Sequence, residues 1–154
     1  NIYLIFSSHN LFDWLLFIAC VYVICDLCYV MTDDEWDQFC SITIKGEHLL
    51  DGEFQLPDGR RFATYSTAWG DGVYHDQHGH EYSVDAGLIG CILLSDIRAA
   101  KYENIQELGN IVEFTEDFET SGCLKGRNSD GVISIGPLRI DTDPTDYDMD
   151  EDED

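Results

Sequence analysis

The sequence predicts a mainly β fold of the α+β type: a single bent antiparallel sheet, or a small partly open barrel, with one or two short helices. Three observations support this prediction. Several short segments are rich in β-branched and aromatic residues or alternate apolar with polar residues. Turn sequences such as Pro57-Asp58-Gly59 separate these segments. Helical spacing of apolar residues is confined mainly to the stretch between Ile97 and Leu108.

The β-rich part of the chain is predicted to begin with a short helix. Thr32 is suited to the N-cap, and Glu35 three residues later completes a capping box, so the helix would run from Thr32 to Phe39. Two strands would follow at Cys40–Lys45 and Leu49–Leu56, with a bend in the second at Asp51-Gly52.

The clearest strand–turn–strand pattern lies between Ala63 and Leu94. Trp69-Gly70-Asp71-Gly72 predicts a tight reversal, because glycine tolerates positive φ. Val73–His75 and His80–Asp85 would form a hairpin around the four-residue loop Asp76-Gln77-His78-Gly79. In this register His75 faces His80. One face would then carry Val73, His75, His80, Tyr82 and Val84.

The remaining elements follow from simpler patterns. The nearly all-apolar stretch Ala86–Leu94 predicts a strand that is buried on both faces. Ser95-Asp96 would begin a helix, and Gly109 would end it. Strands are then expected at Asn110–Thr120 and at Val132–Ile140, the last bulged or at an edge because of Gly136-Pro137.

Composition divides the chain into three parts. Residues 1–30 are a hydrophobic segment, residues 31–140 are the predicted β-rich domain, and residues 141–154 form an acidic tail with nine carboxylates in fourteen positions. The tail is predicted to be disordered, because so few apolar residues cannot offset the entropy of ordering. The β-strand patterns all follow residue 39, so the core is expected to close without residues 1–30.

The hydrophobic segment has three interpretations. Residues 11–30 are long enough to span a membrane, but Asp13 and Asp26 interrupt them and no Lys or Arg precedes Lys45. Alternatively, the segment is non-native upstream sequence, because the first methionine, Met31, directly precedes the predicted helix. In the third interpretation the segment packs on the sheet as a buried strand or helix.

The charge of the chain favours basic partners. Its 31 acidic residues against eight Lys and Arg give a formal net charge of −23, which repels nucleic acid and anionic lipid headgroups. We therefore predict a small acidic, non-enzymatic interaction module that binds a basic protein. Its contacts are assigned to Trp69, Tyr74 and Asp71, because aromatic side chains supply affinity while charge mainly accelerates association.

Cysteine usage indicates a reducing compartment. Three of the six cysteines fall in the hydrophobic segment, which leaves an odd number for the folded part, and the chain has no Asn-x-Ser/Thr glycosylation acceptor. We predict a cytoplasmic protein, or a membrane-anchored one if residues 11–30 span a bilayer. Cys25-x-x-Cys28 is a weak metal or redox motif without a second pair, and Cys123 beside Lys125 is the better candidate for a reactive thiol.

The alternative function is a metal-binding domain, structural or hydrolytic. Cross-strand positions would bring His75 and His80 together, with His78 nearby and Asp71 or Asp76 as an oxygen ligand for zinc or another divalent ion. Otherwise no cofactor is predicted. The sequence contains no nucleophile elbow, phosphate-binding loop or His-Glu-x-x-His motif, so catalysis is not favoured.

Overall fold

The computed structural model describes residues 17–122 and 130–143 of the 154-residue chain. Three α-helices occur in these ranges: α1 (Asp33–Thr43), α2 (Ala99–Tyr102) and α3 (Ile105–Leu108). The strands in the same ranges are β1 (Val21–Cys25), β2 (Ile44–Lys45), β3 (His48–Leu49), β4 (Gly52–Gln55), β5 (Arg61–Ser66), β6 (Gly72–Asp76), β7 (Glu81–Val84), β8 (Leu88–Leu93), β9 (Asn110–Glu113), β10 (Thr120–Ser121), β11 (Val132–Ile135) and β12 (Leu138–Asp141).

The mainly β class is confirmed. The strands form two five-stranded antiparallel sheets, which we call sheet A (order β4-β5-β8-β1-β9) and sheet B (order β10-β11-β12-β6-β7), together with a two-stranded ribbon of β2 and β3. Within the described residues the strands are divided among separate sheets, where a single bent sheet or a partly open barrel was predicted. Neither five-stranded sheet closes into a barrel in these ranges.

Sheet A is the middle layer of the domain. One of its faces packs against sheet B around Tyr22, Tyr82 and Ile133, and the other packs against α1 around Leu27, Phe39 and Phe62. The predicted strand within Ala86–Leu94 is therefore seen as β8, which is buried on both faces as expected.

The strand β1 lies in the interior of sheet A, although it comes from the hydrophobic segment. It pairs with β8 on one side and with β9 on the other, and Tyr22 and Val23 are both almost completely buried. Among the described residues no helix is long and apolar enough to span a bilayer, and residues 11–16 lie outside them. The domain boundary at Met31 stays a prediction, but the core already includes Phe17, residues 22–25, Leu27 and Val30.

Asp26 follows β1 and is fully buried with its carboxylate hydrogen-bonded. Its Oδ1 accepts the N–H of Cys28 at 3.0 Å, and its Oδ2 accepts the N–H groups of Asp85 and Ala86 at 2.9 and 2.6 Å. Asp85 and Ala86 lie where the chain passes from β7 of sheet B to β8 of sheet A. The Asp26 carboxylate thus links the end of β1, through hydrogen bonds, to the segment that connects the two sheets.

The predicted capping box is confirmed, whereas three other local predictions are corrected. Thr32 Oγ1 accepts the N–H of Glu35, and the Glu35 carboxylate accepts the N–H of Thr32. The helix α1 then continues to Thr43, through most of the predicted strand Cys40–Lys45. The helical stretch after Ser95 is divided into α2 and α3. Gly136-Pro137 forms the turn between β11 and β12, with Gly136 at φ 55°, instead of a bulge in one strand.

The turn before β5 is held to α1 by ion pairs. Arg60 binds the Glu35 carboxylate and, at 2.7 Å, the Asp58 carboxylate, while the more exposed Arg98 binds Asp58 at 3.1 Å. The hydrogen bonds from Arg60, with the positive charges of Arg60 and Arg98, hold the pKa of Asp58 below its usual range. Because Glu35 and Arg60 are both largely buried, each depends on the other for its charge to be tolerated.

Candidate interaction surface around Trp69

The central hairpin exists, but its predicted register is wrong by one residue. His75 lies opposite Glu81 and Tyr74 lies opposite Tyr82, where His75 had been expected to face His80. A shift of one residue exchanges the two faces of a strand, so Val73 and His75 point to solvent while Tyr74 and Asp76 point to the core. The predicted common face of Val73, His75, His80, Tyr82 and Val84 therefore does not form.

Asp76 causes the shift, because it closes the hairpin as a strand residue instead of opening a four-residue loop. Its N–H donates to the carbonyl of His80 at 3.2 Å, which leaves only residues 77–79 in the loop, with Gly79 at φ 86°. The buried carboxylate accepts the N–H groups of His78 and His80 and the hydroxyl of Tyr82, at 2.8, 3.1 and 2.7 Å.

Tyr74 cannot serve as the exposed aromatic contact that the sequence predicted. Only 5 % of it is accessible, and its ring lies in the core between the two sheets. Its hydroxyl donates to the carbonyl of Gly70 at 2.8 Å, which also accepts the hydroxyl of Thr67 at 2.6 Å. Tyr74 thus stabilises the turn from its core-facing side.

Trp69 lies in the same turn and is the most exposed large hydrophobic residue in the described part of the chain, with 62 % of its surface accessible. Its indole N–H donates to Oδ1 of Asp143 at 2.7 Å. Because the turn is fixed by Thr67 and Tyr74, and the indole edge by Asp143, the ring is presented to solvent in one orientation.

Val73 extends the exposed surface beside Trp69. It is 55 % accessible and lies on the outer face of β6. His75 pairs with Asp141, and Val73 lies two residues before His75 while Asp143 lies two residues after Asp141. Trp69, Val73 and Asp143 are called the Trp69 surface below.

Asp71 is exposed but is not the carboxylate that contacts Trp69. A Cβ atom on Gly87 would lie 4.0 Å from Oδ1 of Asp71, which places this carboxylate toward the connection between β7 and β8. The structure therefore brings Trp69 together with Asp143, a residue that the sequence assigned only to the acidic tail. Asp143 lies two residues beyond the strand β12. This position could have indicated from the sequence that its side chain contacts a turn of a neighbouring strand.

The three histidines proposed as metal ligands are divided between two faces of the hairpin. His75 lies on the outer face, with Nε2 at 3.7 Å from Oε1 of Glu81. His80 lies on the other side, with Nδ1 at 3.0 Å from Oδ2 of Asp76, and its ring centre is 6.1 Å from that of His78. Among the described residues, no group of three His, Cys, Asp or Glu side chains has an arrangement suited to a metal ion.

The thiols of the Cys25-x-x-Cys28 motif are poorly suited to thiolate chemistry. Burial of Cys25 and the neighbouring charge of Asp26 raise its pKa well above the usual range. Burial, a hydrogen bond and the same carboxylate raise the pKa of Cys28. Burial also raises the pKa of Cys91 to about 12, which agrees with an inert core residue. Cys123 lies outside the described residues.

Comparison of the chain with protein-family models, curated proteins and solved structures finds no match, so its fold and surfaces provide the basis for a functional proposal.

Proposed function

We propose that this chain is a non-enzymatic interaction module that binds a basic protein partner through the Trp69 surface. The observation that carries the proposal is an exposed indole held by a carboxylate in a chain with a net charge of −23. An Arg or Lys side chain over such a ring gains a cation–π contact, and nearby carboxylates pair with its charge. Trp is also among the residues most often found to dominate binding energy at interfaces.

The distribution of charge supports a basic partner over an apolar one. Asp71 is two residues from Trp69 in sequence, and Asp143 accepts a hydrogen bond from the Trp69 indole. Asp141 lies two residues before Asp143. The positively charged Arg139 lies on the same face of β12 as Asp141, but two residues further from Asp143. A basic segment would therefore meet mainly opposite charge at the Trp69 surface, which accelerates association and excludes acidic competitors.

A second acidic surface provides a rival site. A groove of about 730 Å³ is lined by residues 113–121 with Ser134, Gly136 and Pro137, and it contains Glu113, Glu116, Asp117 and Glu119. Its aromatic residues Phe114 and Phe118 are buried in the core, so the groove offers carboxylates without an exposed ring. We favour the Trp69 surface because an accessible indole can supply affinity in addition to charge.

The proposal is tested with a deca-arginine peptide as the basic probe, titrated by calorimetry. Trp69→Ala should weaken binding by about tenfold, the effect of a lost cation–π contact of roughly 1.4 kcal/mol. Binding should also weaken as salt is added, because salt screens the exposed charges.

Two matched variants separate the Trp69 surface from the rest of the acidic molecule. Ile111→Ala shortens an exposed apolar residue on sheet A, and Glu116→Gln removes a charge from the rival groove. Both should bind the peptide nearly as well as the unaltered chain. A larger loss for Glu116→Gln than for Trp69→Ala would place the site in the groove and contradict the proposal.

A divalent metal site at His78 and His80 is the second candidate, and one contact favours it. The Asp76 carboxylate engages Nδ1 of His80 at 3.0 Å, which leaves Nε2 directed away as metal-binding histidines require. Addition of zinc should then raise the melting temperature of the unaltered chain and leave that of a His78→Ala, His80→Ala variant unchanged. No zinc-dependent difference between the two would reject the site.

A further inference from the structure

A cleft lies between the outer edges of the two five-stranded sheets. The strand β7 is the last strand of sheet B, and β9 is the last strand of sheet A. The cleft beside β7 has a volume of about 360 Å³. Its lining includes the apolar residues Ile24, Leu108 and Tyr82 and the carboxylates Glu81 and Glu107. This space is called the β7 cleft below.

Side chains next to strands of sheet A bridge the cleft at both ends of β7. Asn110 Nδ2 donates to the carbonyl of Glu81 at 2.8 Å, and Asp26 Oδ2 accepts the N–H of Asp85 at 2.9 Å. Asn110 begins β9, and Asp26 follows β1. The stretch of β7 between the two bridges is about 13 Å long, since a strand advances roughly 3.3 Å per residue.

Ser83 lies midway between the bridges and has no partner for its backbone. In an antiparallel pair, alternate residues direct both their N–H and their C=O to the neighbouring strand. The carbonyl of His80 accepts the N–H of Asp76 at 3.2 Å, so Tyr82 is also directed to β6 and Ser83 is directed away from it. Within the described ranges, neither the N–H nor the C=O of Ser83 is hydrogen-bonded. The edge of the cleft thus offers one donor and one acceptor in the arrangement that pairs with an extended chain.

We propose that the β7 cleft binds a short extended peptide segment with lysine or arginine at alternate positions. The residue between two basic ones pairs with Ser83 through both its N–H and its C=O. Because side chains alternate in an extended chain, the basic side chains then lie on the core-facing side of sheet B and enter the cleft. Their aliphatic parts contact Ile24 and Leu108, and their charged ends pair with Glu107.

The charge of the chain favours a basic peptide over a second copy of the protein. If the β7 strands of two copies paired about Ser83, Glu81 of each would lie opposite Asp85 of the other. Like charges in opposite positions destabilise a strand pair, and each copy carries a net charge of −23. A basic segment meets opposite charge instead. The inference does not depend on the Trp69 surface.

The first test uses the tripeptide acetyl-Arg-Ala-Arg-amide, with its alanine in the position opposite Ser83, in an NMR titration. Methylation of the alanine nitrogen removes the N–H that donates to Ser83, so binding should weaken by about tenfold. Methylation of the nitrogen of the second arginine should change the affinity by less than about twofold, because that N–H points to the opposite side of the strand. The two methylated peptides have the same charge, so electrostatic attraction alone would not distinguish them.

Variants of the chain locate the site. Amide hydrogen exchange at Ser83 should be fast in the free protein and several-fold slower with saturating peptide. Ser83→Pro removes the N–H at an edge position, where proline is tolerated, and should abolish measurable binding, whereas Ser83→Ala should bind normally. Glu107→Gln should weaken binding several-fold, and Glu116→Gln, outside the cleft, should have little effect. If Ser83→Pro does not fold, the methylated peptides provide the same test on the unaltered chain.

Four results would overturn the inference. They are the absence of tripeptide binding, equal affinity for the two methylated peptides, unchanged exchange at Ser83 with saturating peptide, and slow exchange at Ser83 in the free protein that becomes faster on dilution. The last result would identify a second copy of the chain as the occupant. Trp69→Ala should leave the response of Ser83 unchanged, so failure of the proposed function and failure of this inference are distinguishable.

Discussion

At the scale of single residues, one buried carboxylate decides how the central hairpin is built. Asp76 accepts hydrogen bonds from Tyr82, His78 and His80. Burial alone would raise its pKa, but these hydrogen bonds outweigh it and hold the pKa of Asp76 below its usual range. The charged form is therefore stabilised in the folded state, and protonation weakens the hairpin.

Replacement of Asp76 by Asn should lower the free energy of unfolding by about 2 kcal/mol at neutral pH, since the variant loses hydrogen bonds to a charged acceptor. The folded-state pKa is depressed, so the charged carboxylate stabilises the fold above its unfolded pKa of about 4 and this contribution is lost at lower pH. Denaturant unfolding at several pH values should show the difference between the two proteins shrinking below about pH 4.

Glu81→Gln is the matched control for this prediction, because Glu81 is exposed in the same hairpin and its contact with His75 is long, at 3.7 Å. We expect a change in stability of less than about 0.5 kcal/mol. A loss in Asp76→Asn that stayed constant down to low pH would show that the side chain acts through packing and not through its charge.

The glycine turns and the Thr32–Glu35 capping box could be predicted because the residues that determine them are neighbours in sequence. The hairpin register could not, since it depends on whether Asp76 points to the core or begins the loop. The same limit applies to Asp143, whose contact with Trp69 joins residues 74 positions apart. Sequence patterns therefore located the exposed indole but not the carboxylate that orients it.

At the scale of elements, α1 is attached to the turn before β5 through a largely buried ion pair. Glu35 has a double role, since its carboxylate completes the capping box and also binds Arg60. Arg60 further donates to the carbonyl of Asp96 at 2.9 Å, so one guanidinium links the helix, the turn and the segment after β8.

Arg60→Met should destabilise the protein by about 3 kcal/mol, because it leaves the Glu35 carboxylate buried with much less compensation. Arg98→Met is the control: Arg98 is 57 % exposed and lies 3.7 Å from the same carboxylate, so its loss should cost less than about 1 kcal/mol. Denaturant midpoints for the two variants provide the measurement. Equal losses would indicate that the pair with Arg60 has no special importance.

At the scale of the whole molecule, the described part of the hydrophobic segment, residues 17–30, is part of the β domain. Its apolar run could not be assigned from sequence, because a strand buried on both faces and a membrane segment are both continuously apolar. Asp26, which argued against a membrane span, is accommodated in the core by three backbone N–H groups.

A chain that begins at Met31 should therefore fail to fold cooperatively, contrary to the expectation from strand patterns alone. It lacks β1, so β8 would keep only β5 as a partner in sheet A, and β9, at the edge, would lose the strand it pairs with there. Circular dichroism during heating should show no sharp transition, and the exposed apolar faces should promote aggregation. A chain that begins at Phe17 retains β1 and is the matched comparison. Cooperative melting of the shorter chain would contradict the importance assigned to β1.

The place of β1 in sheet A also has a consequence for the synthesis of the protein. Its partners β8 and β9 follow it by more than sixty residues, so its backbone stays unpaired until most of the domain has left the ribosome. At roughly 5–20 residues per second, this delay lasts several seconds. Pairing over such sequence distances is also slow, because loop closure precedes the stabilising contacts. The nascent chain thus carries an unpaired apolar strand, which is prone to aggregation, for most of its translation. The yield of folded protein in cells should therefore depend on the concentration of chaperones.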